Sequence, residues 1–258
     1  MPRNILWLST FTLIFGLSSS APAETPRPIR VTAWSERSEP VEVYPNGING
    51  AMAEIFQGDK KVKVTIANLA DPDQGLSEAA LAQCDVLVWF GHRNHKDVSE
   101  ENVHRVVRHV IERGMGYLGL HSAHYARPFK ALMEWKAEKL GIKLQGATGG
   151  WARVRNEGKP ERIRVLVPEH PIARGVREFT IPKTEMYVNP FVVPPPDVKV
   201  LEGDWEGGEQ HGSDGLCWTT GRGKVFYFRP GHETYPIYYQ AEIQAVLRNA
   251  VQWLATRE

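Results

Sequence analysis

The sequence has few cysteines and almost no net charge, and each of these features excludes some classes of protein. Only two cysteines, Cys84 and Cys217, occur in 258 residues, which is too few for a disulfide framework. Each lies in or beside an apolar strand pattern, so we expect two buried free thiols rather than a disulfide between them. The formal charge at pH 7 is +1, and like charges form no long run. This balance argues against a nucleic-acid partner or an anionic membrane surface.

Long apolar runs are also scarce, and the chain has one, at its start. Arg3 is followed by an apolar stretch over residues 5–17 and by Ala-Pro-Ala at 21–23, the pattern of a signal peptide with a small-x-small cleavage site. A membrane anchor is the alternative, but the run is short for a bilayer. We therefore expect residues 1–23 to be removed near Ala23, and the protein to be exported to a periplasm or secreted, with no membrane contact afterwards.

Residues 24–258 show no internal repeat, low-complexity tract or flexible polar linker, so we expect a single domain. The charge balance favours a small, largely uncharged ligand. No nucleotide cofactor is expected, and a homo-oligomer is compatible with the sequence.

Strand and helix patterns alternate along the first half. Short apolar runs predict strands at 29–34, 62–66, 86–90 and 117–120, and helical spacing predicts helices at 48–56, 77–83, 99–114 and 128–139. This alternation predicts an α/β fold, a flavodoxin-like doubly wound, mostly parallel sheet with helices on both faces. The second half predicts an added antiparallel portion, from extended segments at 152–155, 162–167, 179–191, 198–201 and 215–228, and a last helix at 240–255.

Histidines follow three of the apolar runs, at His92, His121 and His232. Ligands of open α/β sheets bind outside the carboxyl ends of the strands, so these residues predict a site at that edge. His121 stands where a nucleophile elbow exposes one side chain above the sheet, with Ser122 directly after it. The alternative for His121 is a buried, hydrogen-bonded histidine.

Two His-x-x-His pairs, His92 with His95 and His121 with His124, have spacing compatible with a divalent transition metal, zinc before nickel or iron. The second histidine of each pair could instead cap a helix. These four residues are our predicted metal ligands.

The stretch 229–235 presents a second group of functional side chains. Gly231 allows a sharp turn, and His232 with Glu233 offers a base beside a carboxylate, so we predict that His121, His232 and Glu233 are catalytic. Arg229 is either a substrate contact or part of a structural ion pair with Glu233. The other predicted substrate contacts are strand-end aromatics and nearby polar groups, for which core or surface positions are the alternative: Trp34, Glu36, Trp89, Ser122, Glu185 and Tyr187.

Several stretches together resemble the ThuA-like, or trehalose-utilisation, family, at residues 44–48, 85–92, 119–122, 185–187 and 221–236. The resemblance implies a fold like that of the class I glutamine amidotransferases. His121 would then stand in the place of their cysteine, and His232 with Glu233 would match their His-Glu pair, which excludes thiolate chemistry at that position. It also implies a role in the metabolism of trehalose and related disaccharides, including keto forms.

The sequence departs from this family at two places. Relatives usually carry a histidine after the first strand and another in the Y-P-x-G-I-H stretch, whereas residues 35–40 have no histidine and Asn49 takes the second position. Two hypotheses follow. The first is an exported enzyme that acts on a di- or oligosaccharide by metal- or histidine-assisted hydrolysis, elimination or isomerisation. The second is a non-catalytic carbohydrate-binding domain that retained the fold.

Overall fold

The computed structural model describes residues 27–205 and 213–256. The predicted signal peptide and His211, for which the sequence predicts no role, lie outside them. The first half of the described chain contains β1 Ile29–Ser35, α1 Gly47–Ile55, β2 Val62–Asn68, α2 Glu78–Ala82, β3 Val86–Phe90, α3 Glu100–Arg113, β4 Gly116–Leu120 and α4 Arg127–Lys139. The second half contains β5 Trp151–Val165, β6 Phe179–Phe191, β7 Val198–Trp205, β8 Gly215–Thr220, β9 Gly223–Phe228 and α5 Ala241–Ala255.

The strands form one sheet in the order β2-β1-β3-β4-β9-β8-β7-β5-β6. The five strands β2, β1, β3, β4 and β9 run parallel to one another, and β8, β7, β5 and β6 add an antiparallel portion. The predicted α/β class is confirmed. Of the helices in the described part of the chain, none is both long and apolar enough to cross a bilayer.

Helices cover both faces of the parallel strands. Successive side chains of a strand point to opposite faces of the sheet, so each strand contributes to two core clusters. In β3, Val88 and Phe90 pack in a core cluster with α1 and α5, whereas Leu87 and Trp89 pack in a second cluster with α2, α3 and α4. Strands that are apolar on both faces are typical of such a sandwich.

The two cysteines are buried free thiols, as predicted. Cys84 belongs to the cluster with α2, α3 and α4, and Cys217 to the cluster on the other face.

Two predicted segments differ from the observed elements. The extended segments at 152–155 and 162–167 are parts of one strand, β5, whose pairing with β6 shifts register between Arg155 and Lys159. Such bulges interrupt the alternation of apolar and polar residues, and this interruption made one strand look like two. The segment 215–228 is a hairpin of β8 and β9, which turns at Gly221, where φ is +64°.

Candidate functional site

Three histidines meet at the carboxyl edge of the parallel strands. His92, His121 and His232 follow β3, β4 and β9, which are neighbours in the sheet. The ring centroid of His232 lies 5.2 Å from that of His92 and 5.9 Å from that of His121. Three parallel strands that end at one edge therefore bring together residues up to 140 positions apart, as the sequence predicts.

His121 is fully buried, and both of its ring nitrogens face acceptors. Nδ1 lies 2.8 Å from the carbonyl oxygen of Arg229, and Nε2 lies 2.8 Å from Glu185 Oε2 and 3.0 Å from the hydroxyl of Tyr187. The ring also stacks on Tyr187, with centroids 4.7 Å apart. Both ring nitrogens are thus held in hydrogen bonds within the fold, and His121 is not part of the group of potential metal ligands described below.

Glu185 is the carboxylate partner of His121. Burial alone would raise its pKa, but the hydrogen bond and the charge of His121, with smaller contributions from His232 and Tyr187, hold the pKa of Glu185 below its ordinary value. Glu185 is therefore ionised at neutral pH. β6 supplies it from the antiparallel half of the sheet, so the site spans both halves of the chain.

His92, His232 and Glu233 form a second group, which we call the histidine cluster. Glu233 is 1% exposed, and its Oε2 lies 3.2 Å from His92 Nδ1 and 3.7 Å from His232 Nε2. Among the described residues, this is the group of three or more potential metal ligands whose donor atoms all lie within 4.8 Å of one another. Ser122 Oγ lies 2.8 Å from His92 Nδ1 and links the cluster to Tyr187, whose hydroxyl is 3.3 Å away.

His232 is held by two residues that the sequence does not single out. Its Nδ1 lies 2.7 Å from Thr234 Oγ1, and its Nε2 lies 3.3 Å from Asn156 Nδ2. Thr234 belongs to the same stretch as His232, so its proximity could have been inferred. Asn156 lies on β5, 76 positions away, and no local pattern marks it.

The predicted metal set of His92, His95, His121 and His124 does not form one group. His124 is fully buried, its Nδ1 lies 2.6 Å from the carbonyl oxygen of Gly149, and burial lowers its pKa to about 3. His95 lies beside Tyr125, with ring centroids 6.1 Å apart, and burial lowers its pKa too. Of the four predicted ligands, only His92 belongs to the histidine cluster, because the others bond to or pack against neighbouring parts of the fold.

Trp34 and Trp89, which the sequence offers as ligand contacts, are core residues. Their rings stack on each other with centroids 3.8 Å apart, and the two residues are 2% and 1% exposed. Trp34 also donates its ring N–H to the carbonyl oxygen of Gln74 at 2.8 Å. With one face on its partner and the rest enclosed, neither ring is available to a sugar.

Arg229 is likewise structural rather than a substrate contact. It is fully buried, and its guanidinium pairs with Glu161 of β5 and with Asp214, not with Glu233. Burial disfavours the charged form, but the two carboxylates outweigh it and raise the pKa of Arg229 above its ordinary value.

Glu36 lies at the edge of the site and holds the loop after β3. Its carboxylate accepts hydrogen bonds from the backbone N–H groups of Arg93 at 2.5 Å and Asn94 at 2.9 Å. Burial would raise the pKa of Glu36, yet the hydrogen bonds it accepts hold the pKa below its ordinary value. The loop that carries His92 is thus fixed by an ionised carboxylate, and Glu36 acts here as a support.

The side-chain amide of Asn49 is hydrogen-bonded to other residues of the protein. It is 1% exposed, and its Nδ2 donates to the carbonyl oxygen of Ala67 at 3.0 Å and to Asn68 Oδ1 at 2.9 Å. Its Oδ1 accepts from the backbone N–H of Gly50 and from Arg37. At this position, where the resemblance described above implies a histidine, the chain has a hydrogen-bonded polar network.

Comparison with known proteins agrees with this fold. Residues 30–254 match the family model ThuA, described as trehalose utilisation. A ThuA-like protein from Bacteroides uniformis has a similar structure, at 15% identity over 91% of this chain and 95% of that one, with a TM-score of 0.62. A ThuA-like protein from Parabacteroides merdae gives 17% identity, coverage of 89% and 90%, and a TM-score of 0.60.

A glutamine amidotransferase from Thermotoga maritima shares the fold at 12% identity, covering 88% of this chain and 98% of that one, with a TM-score of 0.50. Comparison with curated protein sequences gave no significant match.

Proposed function

Since this chain belongs to the ThuA family, and so has a carbohydrate-related role, we propose that it is an enzyme that acts on a di- or oligosaccharide. The reaction is a hydrolysis, elimination or isomerisation, and the substrate is a trehalose-like sugar or its keto form. One observation carries the proposal: the histidine cluster and the pair of His121 with Glu185 converge at one sheet edge. Export is part of the proposal and rests on the sequence of residues 1–23.

His232 is the proposed general base. Burial lowers its pKa below the ordinary value, and the opposing effect of Glu233 does not cancel the shift, so His232 is neutral at pH 7. The base role requires the tautomer with the hydrogen on Nδ1, donated to Thr234 Oγ1 at 2.7 Å in preference to accepting the backbone N–H of Thr234 at 3.3 Å. Asn156 Nδ2 donates towards Nε2 at 3.3 Å, so Nε2 carries the lone pair that would take a proton from water or from a carbon beside a carbonyl once this contact is released. The buried carboxylate of Glu233 would stabilise the imidazolium that results.

The histidine cluster also fits a divalent metal, for which zinc is our proposal. Two imidazoles and a carboxylate form a known ligand set for catalytic zinc, whose ligand atoms lie about 3.4 Å apart in tetrahedral geometry. The separations of 3.2 and 3.7 Å from Glu233 Oε2 bracket that value, and this buried atom accepts no hydrogen bond from the described residues. A metal held there would polarise a carbonyl or activate a water. His232 Nε2 then serves either as a ligand or as the base.

A non-catalytic carbohydrate-binding domain is the second candidate function. The network around Asn49 favours it, because a position where the family resemblance implies a histidine is occupied by a buried amide bonded to the fold itself.

Elemental analysis of the mature protein, purified without chelators or a histidine tag, tests whether the histidine cluster binds a metal or His232 acts only as a base. We expect about one equivalent of zinc, which is lost in His92→Ala and retained in His104→Ala, a matched replacement of an exposed histidine on α3. Absence of metal in the wild type after incubation with zinc would assign His232 to the base role alone.

Turnover is then followed by NMR on trehalose and on its keto derivative. His232→Ala should lower kcat/KM by about 100-fold or more, the usual contribution of a general base. Because the pKa of His232 lies below its ordinary value, kcat/KM should stay level as the pH falls through about 6.5, the unperturbed histidine pKa, and decline only at lower pH. Sugar binding without turnover in the wild type would favour the binding domain, and full activity in His232→Ala would remove the proposed base.

A further inference from the structure

A groove of mostly apolar character lies beside the histidine cluster. Pro182 and Lys183 of β6 form one side, and residues 235–237, 239 and 240, between β9 and α5, form the other. Its volume is about 450 Å³, within the range of about 300–1,000 Å³ that small-molecule sites occupy.

Tyr239 gives the groove a firmly supported aromatic surface. Its ring is 38% exposed and stacks on Tyr44, with centroids 5.4 Å apart and planes 27° apart. Tyr44 is 1% exposed, and its hydroxyl donates to the carbonyl oxygen of Tyr235 at 2.6 Å. A buried, hydrogen-bonded ring thus supports Tyr239, which is preorganised to offer its remaining surface to a ligand.

Tyr235 lies between the groove and the histidine cluster. It lines the groove, and its ring centroid lies 5.8 Å from that of His232. Its hydroxyl donates to Asn156 Oδ1 at 2.8 Å, while Asn156 Nδ2 lies 3.3 Å from His232 Nε2. A molecule at the cluster and one in the groove would therefore contact the same side chain.

We propose that this groove is a subsite for the second pyranose ring of a neutral disaccharide whose first ring lies at the histidine cluster. The inference rests on the proposed function and narrows its substrate class. A pyranose presents one face of C–H groups and a rim of hydroxyls, which matches an aromatic surface with polar groups at its edge. Tyr239 would take the C–H face, and Lys183, the charged residue among the described residues that line the groove, would donate to the hydroxyls.

Binding of trehalose, maltose and glucose, measured by calorimetry on the mature protein, tests the subsite. We expect a disaccharide to bind the wild type at least tenfold more tightly than glucose does. Tyr239→Ala should weaken disaccharide binding about five- to tenfold, the scale of one aromatic contact, and leave glucose binding unchanged. Tyr239→Phe, which keeps the ring, should retain the affinity.

Trp135→Ala is the matched control, because it removes a partly exposed aromatic ring from α4, away from the groove. Thermal unfolding of each variant excludes loss of fold as the cause. Equal disaccharide affinity in the wild type, Tyr239→Ala and Trp135→Ala would overturn the subsite and leave the proposed function intact. If neither disaccharide nor glucose binds the wild type, the proposed function fails for neutral sugars, and the subsite fails with it.

Discussion

Two site histidines have backbone conformations that residues with a side chain rarely adopt. The φ angle is +45° at His121 and +138° at His232. Each such residue costs about 1–3 kcal/mol and persists only where its surroundings hold it in place. The hydrogen bonds of His121 with Arg229 and Glu185 hold the first, and those between His232 and Thr234 hold the second. Backbone strain at two candidate site residues is typical of functional sites.

Gly231 allows the close approach that packs the two histidines together. A Cβ atom at Gly231 would lie 2.6 Å from Cβ of His121, at a φ of +156°. We predict that Gly231→Ala destabilises the protein by about 2–4 kcal/mol, from overpacking and backbone strain together, and that it abolishes turnover. Urea unfolding followed by circular dichroism measures the first effect.

Gly58→Ala is the control for backbone strain alone, since its φ is +81° and no atom lies within 4 Å of the added Cβ. Gly58→Ala should lower the free energy of unfolding by about 1–2 kcal/mol. Equal costs at the two positions would show that the contact with His121 is unimportant.

Helix ends show how much of each element depends on a few consecutive residues. Ser99 caps α3, and its hydroxyl accepts the backbone N–H of Asn102 at 3.3 Å. Ser77 caps α2 in the same way, through Ala80 at 3.2 Å. Because a cap needs only four neighbouring residues, it could be predicted from the sequence. The bulges of β5 could not, since they depend on the register of a partner strand.

The contribution of the Ser99 cap to the stability of the protein can be tested by substitution. Ser99→Ala should lower the free energy of unfolding by about 1 kcal/mol, within the range of about 0.5–2 kcal/mol measured for lost caps. Ser99→Asp should leave it nearly unchanged, because aspartate also caps and favours the positive end of the helix. Thermal and urea unfolding measure both variants, and an unchanged Ser99→Ala would mean that the cap contributes nothing to stability.

Across the whole molecule, Arg229 joins the parallel and antiparallel halves of the sheet. It follows β9, and its partners are Glu161 on β5 and Asp214 immediately before β8. It also donates to the backbone carbonyl oxygen of Glu185 at 2.5 Å. One buried cation therefore fixes the strand that carries the partner of His121.

Removing the buried charge of Arg229 should destabilise the protein. We predict that Arg229→Met lowers the free energy of unfolding by about 3–5 kcal/mol, because two buried carboxylates would lose the cation with which they pair. Adding Glu161→Gln and Asp214→Asn should recover part of that loss. Loss of turnover with unchanged stability, measured by urea unfolding and a sugar assay, would instead make Arg229 a substrate contact.

The sequence by itself determined the local elements and the edge at which the histidines meet. Apolar runs and caps are written in neighbouring residues, and parallel strands must end at a shared edge, so His92, His121 and His232 could be grouped without a structure. Only the tertiary structure decided which nitrogens stay available, because hydrogen-bond partners such as Gly149, Glu185 and Asn156 come from distant elements. For the same reason, the stacking of Trp34 on Trp89 and the pairing of Arg229 with Glu161 emerged only once the strands were packed side by side.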